Sequence, residues 1–303
     1  MAILGGDARE LEVIRGYLEA GCAVRTYGVI PSDAYGHLAA ESPEAAVAGA
    51  QVIVTPMPGP GPDDTLYAPH APAPIRVRRD LLAAAERGAH YFGCWATATM
   101  HAAGAPLGIR FHHLVDDDEL MVLHAISTAE GAIALTIQHT PHTIHNADAL
   151  VIGYGRIGSL LARDLRGLGA RVTVAVRRPA VAVRAFADGY ATCACTPAAL
   201  RAAIADVDLT YTTAPEWLLD RAVLGQARPG ALVMDLASPP GGMDHDAARA
   251  LGLNVVWARA QAGSAPRHAG QAQFRVMARI LDAEWGGAPS PPAPSPRRGR
   301  GGE

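Results

Sequence analysis

The feature of this sequence that most restricts its fold is an apolar run leading through three closely spaced glycines into an amphipathic segment. A Leu-Val-Ile run precedes Gly153, Gly155 and Gly158. This order predicts a strand, a tight turn and a helix, the unit with which a dinucleotide-binding fold begins. The glycines let the backbone approach a pyrophosphate, and the helix N-terminus supplies free N–H groups to it. We therefore expect these glycines, with Arg156 and Ile157, to bind phosphate; the alternative is a glycine-rich turn without a ligand.

Strand-like and helix-like segments alternate along the whole chain. Apolar strand-like runs occur at residues 2–4, 23–27, 52–54, 149–152, 171–176, 209–213, 232–236 and 254–257. Such alternation predicts parallel sheets with helices on their faces. The 303 residues exceed the usual size of one domain. We predict an α/β fold of two Rossmann-like domains with parallel sheets, joined by crossing helices, with the active site in the inter-domain cleft.

The end of the second strand of a dinucleotide-binding unit indicates which cofactor is bound. An acidic residue there holds the ribose 2′-hydroxyl of NAD, whereas arginine suits the 2′-phosphate of NADP. Here the strand ends in Arg177 and Arg178, and no acidic residue lies between Asp164 and Asp188. The sequence therefore favours NADP over NAD, unless this arginine pair is only a solvated turn.

Two later strands are followed at once by small residues and prolines. Thr213, Ala214 and Pro215 follow one strand, and Ala237 and Ser238 follow another. Ligands of open parallel sheets bind at the carboxyl ends of the strands. We expect the first loop to flank the adenosine or the nicotinamide ribose and the second to lie under the nicotinamide, although either could be only a tight loop.

These features divide the chain into five predicted parts. They are a substrate domain (residues 1–125), an inter-domain helix (126–145), an NADP-binding Rossmann domain (146–265), a C-terminal helix packing back between the domains (266–285) and a disordered tail rich in proline and arginine (286–303). Helical spacing of apolar residues predicts helices at residues 80–87, 127–138, 157–168 and 271–285.

Composition excludes several functions. The sequence contains no lysine, so Schiff-base chemistry, a phosphate-binding lysine and a lysine base are excluded. The net charge of −3 gives no reason to expect nucleic acid or an anionic membrane as a partner. We find no apolar run approaching the ~20 residues of a membrane span and no leader pattern, which favours the cytoplasm. The cysteines and histidines lack metal-ligand spacing, so no metal is expected.

Several motifs occur in an order that resembles one known family. They are Ile-Leu-Gly-Gly-Asp-Ala-Arg-Glu from residue 3, Ser-Thr-Ala-Glu-Gly-Ala from residue 127 leading to Thr-Ile-His at 143–145, the glycine pattern from residue 153, Asp-Leu-Ala-Ser-Pro-Pro-Gly-Gly from residue 235, and Ala-Pro-Arg-His-Ala-Gly from residue 265. Together they resemble the A-subunit family of dipicolinate synthase over residues 1–283. Residues 261–264 depart from the usual Leu-Pro-Gly-Lys, and His124 and Ser127 replace a common Asn and Pro.

The resemblance implies a function and partners. The family oxidises dihydrodipicolinate with NADP to dipicolinate (pyridine-2,6-dicarboxylate), a spore component, and works with the flavoprotein-like second component of the synthase. We accordingly expect a small dicarboxylate substrate, a hetero-oligomer with that second component, and also association between copies of this chain.

Aromatising such a ring removes a hydride and a proton while two carboxylates are held. Arginines and helix N-termini bind carboxylates. We therefore expect Gly6, Asp7, Arg9 and Arg267 to bind substrate. Catalytic candidates are His268 as the base at neutral pH, Glu130 as a second choice if burial raises its pKa, and Ser127 and Thr128 at the start of a helix.

Simpler roles exist for each of these residues, and other functions compete. Asp7 could only cap the first helix, Ser127 or Thr128 with Glu130 could only cap another, and Arg267 and His268 could only connect a helix to the sheet. Another hydroxyacid or amino-acid dehydrogenase would share the architecture. A non-catalytic NADP-binding partner protein is the remaining alternative.

Overall fold

The chain divides into two compact units. The computed structural model describes residues 1–259 and 261–286. Unit 1 combines Met1–Leu120 with the segment that begins at Pro266, and unit 2 is Met121–Ala265. Except for Gly286, the predicted tail of residues 286–303 lies outside the described residues.

Unit 1 is a five-stranded parallel sheet with helices. Its strands are β1 (Ala2–Leu4), β2 (Arg25–Tyr27), β3 (Val52–Val54), β4 (His90–Gly93) and β5 (Arg110–His113). Its helices are α1 (Ala8–Glu19), α2 (Pro43–Val47), α3 (Arg79–Ala83), α4 (Ala98–Gly104) and α11 (Pro266–Trp285). The strand order β2-β1-β3-β4-β5 is that of flavodoxin-like doubly wound sheets.

Helices α1 and α11 of unit 1 pack against each other with their chains running in the same direction. Gly270 lies against the backbone of Arg9, since a Cβ on Gly270 would come 2.2 Å from the Arg9 carbonyl oxygen. Further along, the rings of Tyr17 and Phe274 meet edge to face with centroids 5.0 Å apart. Arg9 lies in the first turn of α1 and Tyr17 in its last, and Gly270 precedes Phe274 in α11, so both helices begin at the same end of unit 1.

Unit 2 is a six-stranded parallel sheet. Its strands are β6 (Asp148–Ile152), β7 (Arg171–Val176), β8 (Ala191–Ala194), β9 (Leu209–Thr212), β10 (Leu232–Asp235) and β11 (Asn254–Trp257). Its helices are α6 (Arg156–Gly167), α7 (Pro179–Ala187), α8 (Pro197–Ala205), α9 (Arg221–Leu224) and α10 (His245–Ala250). The order β11-β10-β9-β6-β7-β8 is the Rossmann order, with the first strand, β6, at the centre. Both sheets confirm the predicted α/β class.

Helix α5 (Asp118–His139) differs most from the prediction. It has 22 residues and begins nine residues before the expected start at Ser127. The Asp117 carboxylate accepts a hydrogen bond from Leu120 N at 3.0 Å, so the cap lies upstream. The prediction that Ser127 and Thr128 begin a helix is therefore wrong, and so is the alternative that they cap one.

The same helix is the one candidate membrane span among the described residues. Its mean hydropathy over 18 residues is 1.6, contrary to the expectation that no apolar run approaches the length of a membrane span, and half of that window is buried in the protein. The Thr136 hydroxyl lies 2.8 Å from the Tyr211 hydroxyl of β9. Such packing on a sheet is what a core helix of an α/β unit shows.

Candidate functional site

The turn after β6 has the close contacts that its glycines predict. Gly153 has φ +100°, and a Cβ there would come 2.4 Å from Thr213 Oγ1. A Cβ on Gly158 would lie 2.1 Å from the Gly153 carbonyl oxygen, so helix α6 packs directly on the turn. At Gly155, by contrast, a Cβ would meet nothing within 4 Å. The turn is thus closed on its inner side and open where α6 begins.

The Tyr154 side chain anchors this turn to helix α7. Its hydroxyl donates to Asp188 Oδ2 at 2.7 Å, and Arg184 Nη2 donates to the Tyr154 carbonyl oxygen at 2.7 Å. The ring also meets Tyr190 edge to face. Because α7 starts directly after Arg178, these bonds tie the glycine turn to the arginine-bearing loop.

A pocket with about 470 Å³ of empty volume opens at the carboxyl end of the strands of unit 2. It is lined by Gly153, Tyr154, Gly155, Ala175, Val176, Arg177, Arg178, Val181, Cys195, Ala214 and Leu218. The structure therefore brings together five residues that were predicted separately to bind cofactor: Gly153, Gly155, Arg177, Arg178 and Ala214. Burial raises the pKa of the Cys195 thiol to about 11, so this thiol is neutral at physiological pH.

The remaining predicted cofactor residues lie near the same edge of the sheet. Arg156, Ile157 and the buried Gly158 form the first turn of α6. The Thr213 hydroxyl donates to the Ile152 carbonyl at 3.0 Å, which fixes the loop after β9 to β6. Pro215 is exposed two residues further on.

The loop after β10 contains Ala237 and the exposed Ser238, and hydrogen bonds to the Asp235 side chain fix its position. The buried carboxylate accepts hydrogen bonds from Ala237 N and Gly242 N, each at 2.9 Å. His245 Nε2 lies 2.8 Å from the same carboxylate, and its ring stacks on Trp257 with centroids 4.2 Å apart. The Trp257 indole donates to the Ala237 carbonyl at 3.1 Å. We name Asp235, His245 and Trp257 the β10 clasp.

The substrate candidates of unit 1 lie at the adjoining N-terminal turns of α1 and α11. Gly6 and Asp7 precede α1, and Arg9 lies in its first turn. Helix α11 begins at Pro266, five residues before the predicted start, which puts the exposed Arg267 and His268 in its first turn. The structure thus brings the two sequence-distant groups to one end of unit 1.

The guanidinium of Arg9 already has an internal partner. Its Nε and Nη2 donate to the two Asp7 carboxylate oxygens at 2.9 and 2.8 Å, and only 4% of Arg9 is exposed. Burial opposes ionisation of Asp7, but the bonds and charge of Arg9 outweigh it, so the pKa of Asp7 lies below its usual value. Asp7 also caps α1 by accepting from Arg9 N. The pair holds the turn, and a substrate would have to share Arg9 with Asp7.

Sequence reasoning missed Glu10, a buried acid beside this pair. Its Oε2 accepts from Asp7 N at 2.6 Å, completing a capping box. Its Oε1 has no hydrogen-bond partner among the described residues. Burial, partly offset by the charge of Arg9, raises the pKa of Glu10 to about 7. The spacing of Asp7 and Glu10 signals a capping box, but nothing in the sequence signals the burial.

Glu10 gives a pH dependence with a definite sign. Because the fold raises its pKa above the usual value near 4.5, the neutral acid is favoured, and its stabilisation is complete below pH 4.5 and is lost as pH rises through 7. Glu10→Gln keeps an acceptor for Asp7 N but cannot ionise. We expect its free energy of unfolding to match wild type at pH 4 and to exceed it by about 3 kcal/mol at pH 8, measured by urea unfolding.

The matched control is Glu44→Gln, which changes an exposed glutamate in the first turn of α2. That variant should follow the wild-type pH profile. A loss of stability from pH 4 to pH 8 that is as steep in Glu10→Gln as in wild type would show that Glu10 is not the titrating group.

The catalytic candidates on α5 lie in settings other than those expected. Ser127 and Thr128 are buried in the middle of the helix, where the Thr128 hydroxyl donates to the His124 carbonyl at 2.9 Å. Neither can offer a helix N-terminus to a carboxylate. Glu130 is exposed and far from the first turn, so the burial on which its role as a base depended is absent. His268 is the candidate base that keeps an exposed position.

The residues present at the glycine turn fit a nicotinamide dinucleotide. The open space at Gly155 and the first-turn amides of the 12-residue helix α6 suit a pyrophosphate. Arg177 and Arg178 on the adjoining wall suit a phosphate on the adenosine ribose. Within the described residues, no group of three or more His, Cys, Asp or Glu is placed to hold a metal ion.

The fold and site define the class of protein. Unit 2 has the strand order and glycine turn of nicotinamide-dependent dehydrogenases, and residues 123–251 match the model of the alanine dehydrogenase/PNT C-terminal domain. The chain is thus an oxidoreductase of the dehydrogenase type. Transhydrogenase from Sinorhizobium meliloti shares the fold, with a TM-score of 0.67 and 16% identity over 94% of each chain.

Closer similarity identifies the family. Residues 1–115 match the model of the N-terminal domain of the dipicolinate synthase A-subunit. The dipicolinate synthase A-subunit of Bacillus subtilis (strain 168) is 30% identical over 288 residues, which cover 93% of this chain and 95% of the relative. The crystal structure of the A-subunit from Bacillus halodurans has a TM-score of 0.84 and 26% identity, covering 92% of this chain and 96% of its own. The chain therefore belongs to the A-subunit family of dipicolinate synthase.

Proposed function

We propose that this protein oxidises dihydrodipicolinate to dipicolinate with NADP, and that it does so together with a flavoprotein-like second component of the synthase. Membership of the A-subunit family of dipicolinate synthase supports both the reaction and an assembly of several different chains. The observation that carries the choice of NADP is the pocket at the glycine turn, in which Arg177 and Arg178 line one wall. Arginine forks bind phosphate oxygens in two-point contacts that a ribose hydroxyl cannot supply.

Each cofactor-site residue has a role that follows from its position. The bound dinucleotide supplies a hydride acceptor. Gly155 and the amides of Arg156, Ile157 and Gly158 hold its pyrophosphate, because α6 begins there without an intervening side chain. Ala214 lines the pocket from the loop after β9. The β10 clasp fixes Ala237 and Ser238 in the loop that we assign to the nicotinamide end.

The substrate needs cations for two carboxylates and an acceptor for one proton. On unit 1 we assign the exposed Arg267 and the N-terminal turn of the 20-residue helix α11 to carboxylate binding, with Gly6, Asp7 and Arg9 in the neighbouring turn. The exposed His268 in the same turn accepts the proton, since histidine is the side chain that most often serves as a general base. Loss of a hydride and a proton turns the dihydropyridine ring into the aromatic pyridine.

The test is turnover by the purified full chain, with and without a flavoprotein-like second component. We expect dihydrodipicolinate and NADP⁺ to give dipicolinate and reduced cofactor in equal amounts, and simple 2-oxo acids to give no oxidation of NADPH. Turnover of 2-oxo acids instead would favour a hydroxyacid or amino-acid dehydrogenase. Binding of NADPH without any hydride transfer, even with the second component present, would favour a non-catalytic role.

Cofactor choice is tested separately by Arg178→Gln. Loss of one guanidinium from the pocket wall should weaken NADPH binding about tenfold, the effect of losing one charge-assisted phosphate contact, and should leave NADH binding unchanged. Fluorescence titration of the reduced cofactors measures both affinities. The control is Arg171→Gln, which removes the same charge at the opposite end of β7, where Arg171 pairs with Asp148. Equal wild-type affinities for NADPH and NADH would refute the assignment of NADP.

A further inference from the structure

A carboxylate distant in sequence reaches the arginine-bearing wall of the pocket. Glu216, in the loop after β9, places Oε2 2.5 Å from Nη1 of Arg177, in the loop after β7. We call this ion pair the Arg177–Glu216 bridge. The absence of acidic residues beside Arg177 in the sequence therefore does not describe its surroundings in the fold.

The strand order shows what the bridge crosses. Strands β7 and β9 are not neighbours, because β6 lies between them. An ion pair that joins the loops after β7 and β9 must pass over the carboxyl end of β6, where the turn at Gly153 begins. Gly153 and Arg177, with Ala214 and Leu218 on either side of Glu216 in the chain, line the same pocket. The bridge thus spans the adenosine end of the candidate cofactor site.

The exposure of the Arg177–Glu216 bridge allows Arg177 to exchange the Glu216 carboxylate for another anion. The Arg177 and Glu216 side chains are 63% and 45% exposed. An ion pair this accessible to water is weak, since solvent screens it and both side chains lose freedom in forming it. A phosphate offers about two negative charges and several acceptor oxygens to the same guanidinium, and so competes well against one carboxylate.

We propose that Glu216 is a residue that sets cofactor specificity, holding the Arg177 guanidinium that the 2′-phosphate of NADP takes over on binding. This inference rests on the proposed use of NADP. Binding then exchanges an internal carboxylate for a phosphate, and Glu216 takes Arg177 back as the cofactor leaves. A ribose 2′-hydroxyl cannot displace a carboxylate from arginine, so NAD binds with the bridge intact. Glu216 therefore lowers the affinity for NADP and moderates the preference for it.

The experiment measures binding by the full chain, with and without Glu216→Gln. The probes are NADPH and NADH, together with 2′,5′-ADP and 5′-ADP, which report on the adenosine end alone. We expect Glu216→Gln to bind NADPH and 2′,5′-ADP about 3- to 10-fold more tightly, the scale expected for removing one nearby exposed charge. Affinities for NADH and 5′-ADP should stay within about twofold.

Two controls isolate the bridge. Asp206→Asn removes one exposed negative charge of unit 2 that lies before β9 rather than after it, and should change no affinity. In an Arg177→Gln background, Glu216→Gln should lose its effect, because the guanidinium for which the two anions compete is gone. An effect that persists there would mean that Glu216 acts without Arg177, and would overturn the proposal.

The remaining outcomes separate this inference from the proposed function. If Arg177→Gln weakens NADPH binding but Glu216→Gln leaves it unchanged, NADP is used and the role of Glu216 is wrong. If Glu216→Gln weakens NADH binding, Glu216 holds the ribose hydroxyl of NAD. The proposal that the 2′-phosphate replaces Glu216 on Arg177 would then also be wrong. If wild type binds both cofactors equally and neither Arg177→Gln nor Arg178→Gln matters, the assignment of NADP fails and the inference fails with it.

Discussion

Gly158→Ala is expected to weaken NADPH binding by about 100-fold and to lower the free energy of unfolding by about 1–3 kcal/mol. The added Cβ would stand 2.1 Å from the Gly153 carbonyl oxygen and 3.3 Å from Thr213 Oγ1. The first of these atoms belongs to the backbone and cannot rotate away, so α6 and the turn must separate. This separation destabilises the fold, and it also displaces the amides that hold the pyrophosphate. Titration with NADPH measures the loss of affinity, and urea unfolding measures the loss of stability.

Gly167→Ala is the matched control, because Gly167 lies at the end of the same helix, and a Cβ there would meet nothing within 4 Å. Alanine is the better helix former, so this variant should bind NADPH normally and be as stable as wild type or more stable by up to about 1 kcal/mol. If Gly158→Ala also bound NADPH normally, the close packing of α6 on the turn would not be needed for the site.

The parts of the site that the sequence predicts are those set by neighbours along the chain. Three glycines from the end of a buried strand to the first turn of a helix restrict the local backbone so strongly that the turn follows from residues 150–158 alone. Arg177 and Arg178 follow β7 directly, so their place at the edge of the sheet follows from the strand. The parallel α/β class likewise follows from the alternation of segments along the chain.

The helix starts were less predictable because several residues compete to cap a helix. A Ser-Thr-Ala-Glu stretch satisfies the capping pattern at residue 127, yet helix α5 begins at Asp118, with Asp117 supplying the side-chain acceptor. Strands β4 and β5 were missed because histidine and arginine interrupt them: β4 reads His-Tyr-Phe-Gly and β5 reads Arg-Phe-His-His. Pairing with neighbouring strands outweighs these weak local preferences.

The site features that no sequence pattern showed depend on long-range packing. Glu216 reaches Arg177 only because β9 and β7 flank β6 in the sheet. The raised pKa of Glu10 depends on its burial beside the Gly5–Gly6 turn, which the capping spacing does not reveal. Asp235 was seen only as part of a motif, whereas its partner His245 lies in another element.

Asp235→Ala is expected to lower the free energy of unfolding by about 3–5 kcal/mol, the cost of removing one partner from a buried charged network. Asp235 is fully buried, and its carboxylate accepts from Ala237 N, Gly242 N and His245 Nε2. Truncation leaves these three donors without an acceptor. Thermal and urea unfolding measure the loss.

The loop after β10 should lose its fixed position in the same variant, because the β10 clasp is what holds it beneath Ser238. Protease cleavage within residues 236–242 of the folded chain should therefore become faster. The control is Asp246→Ala, whose carboxylate is 93% exposed and pairs with Arg249 on the surface of α10. Such a pair contributes little, so this variant should stay within about 0.5 kcal/mol of wild type. A loss below about 1 kcal/mol in Asp235→Ala would mean that the loop holds itself without the clasp.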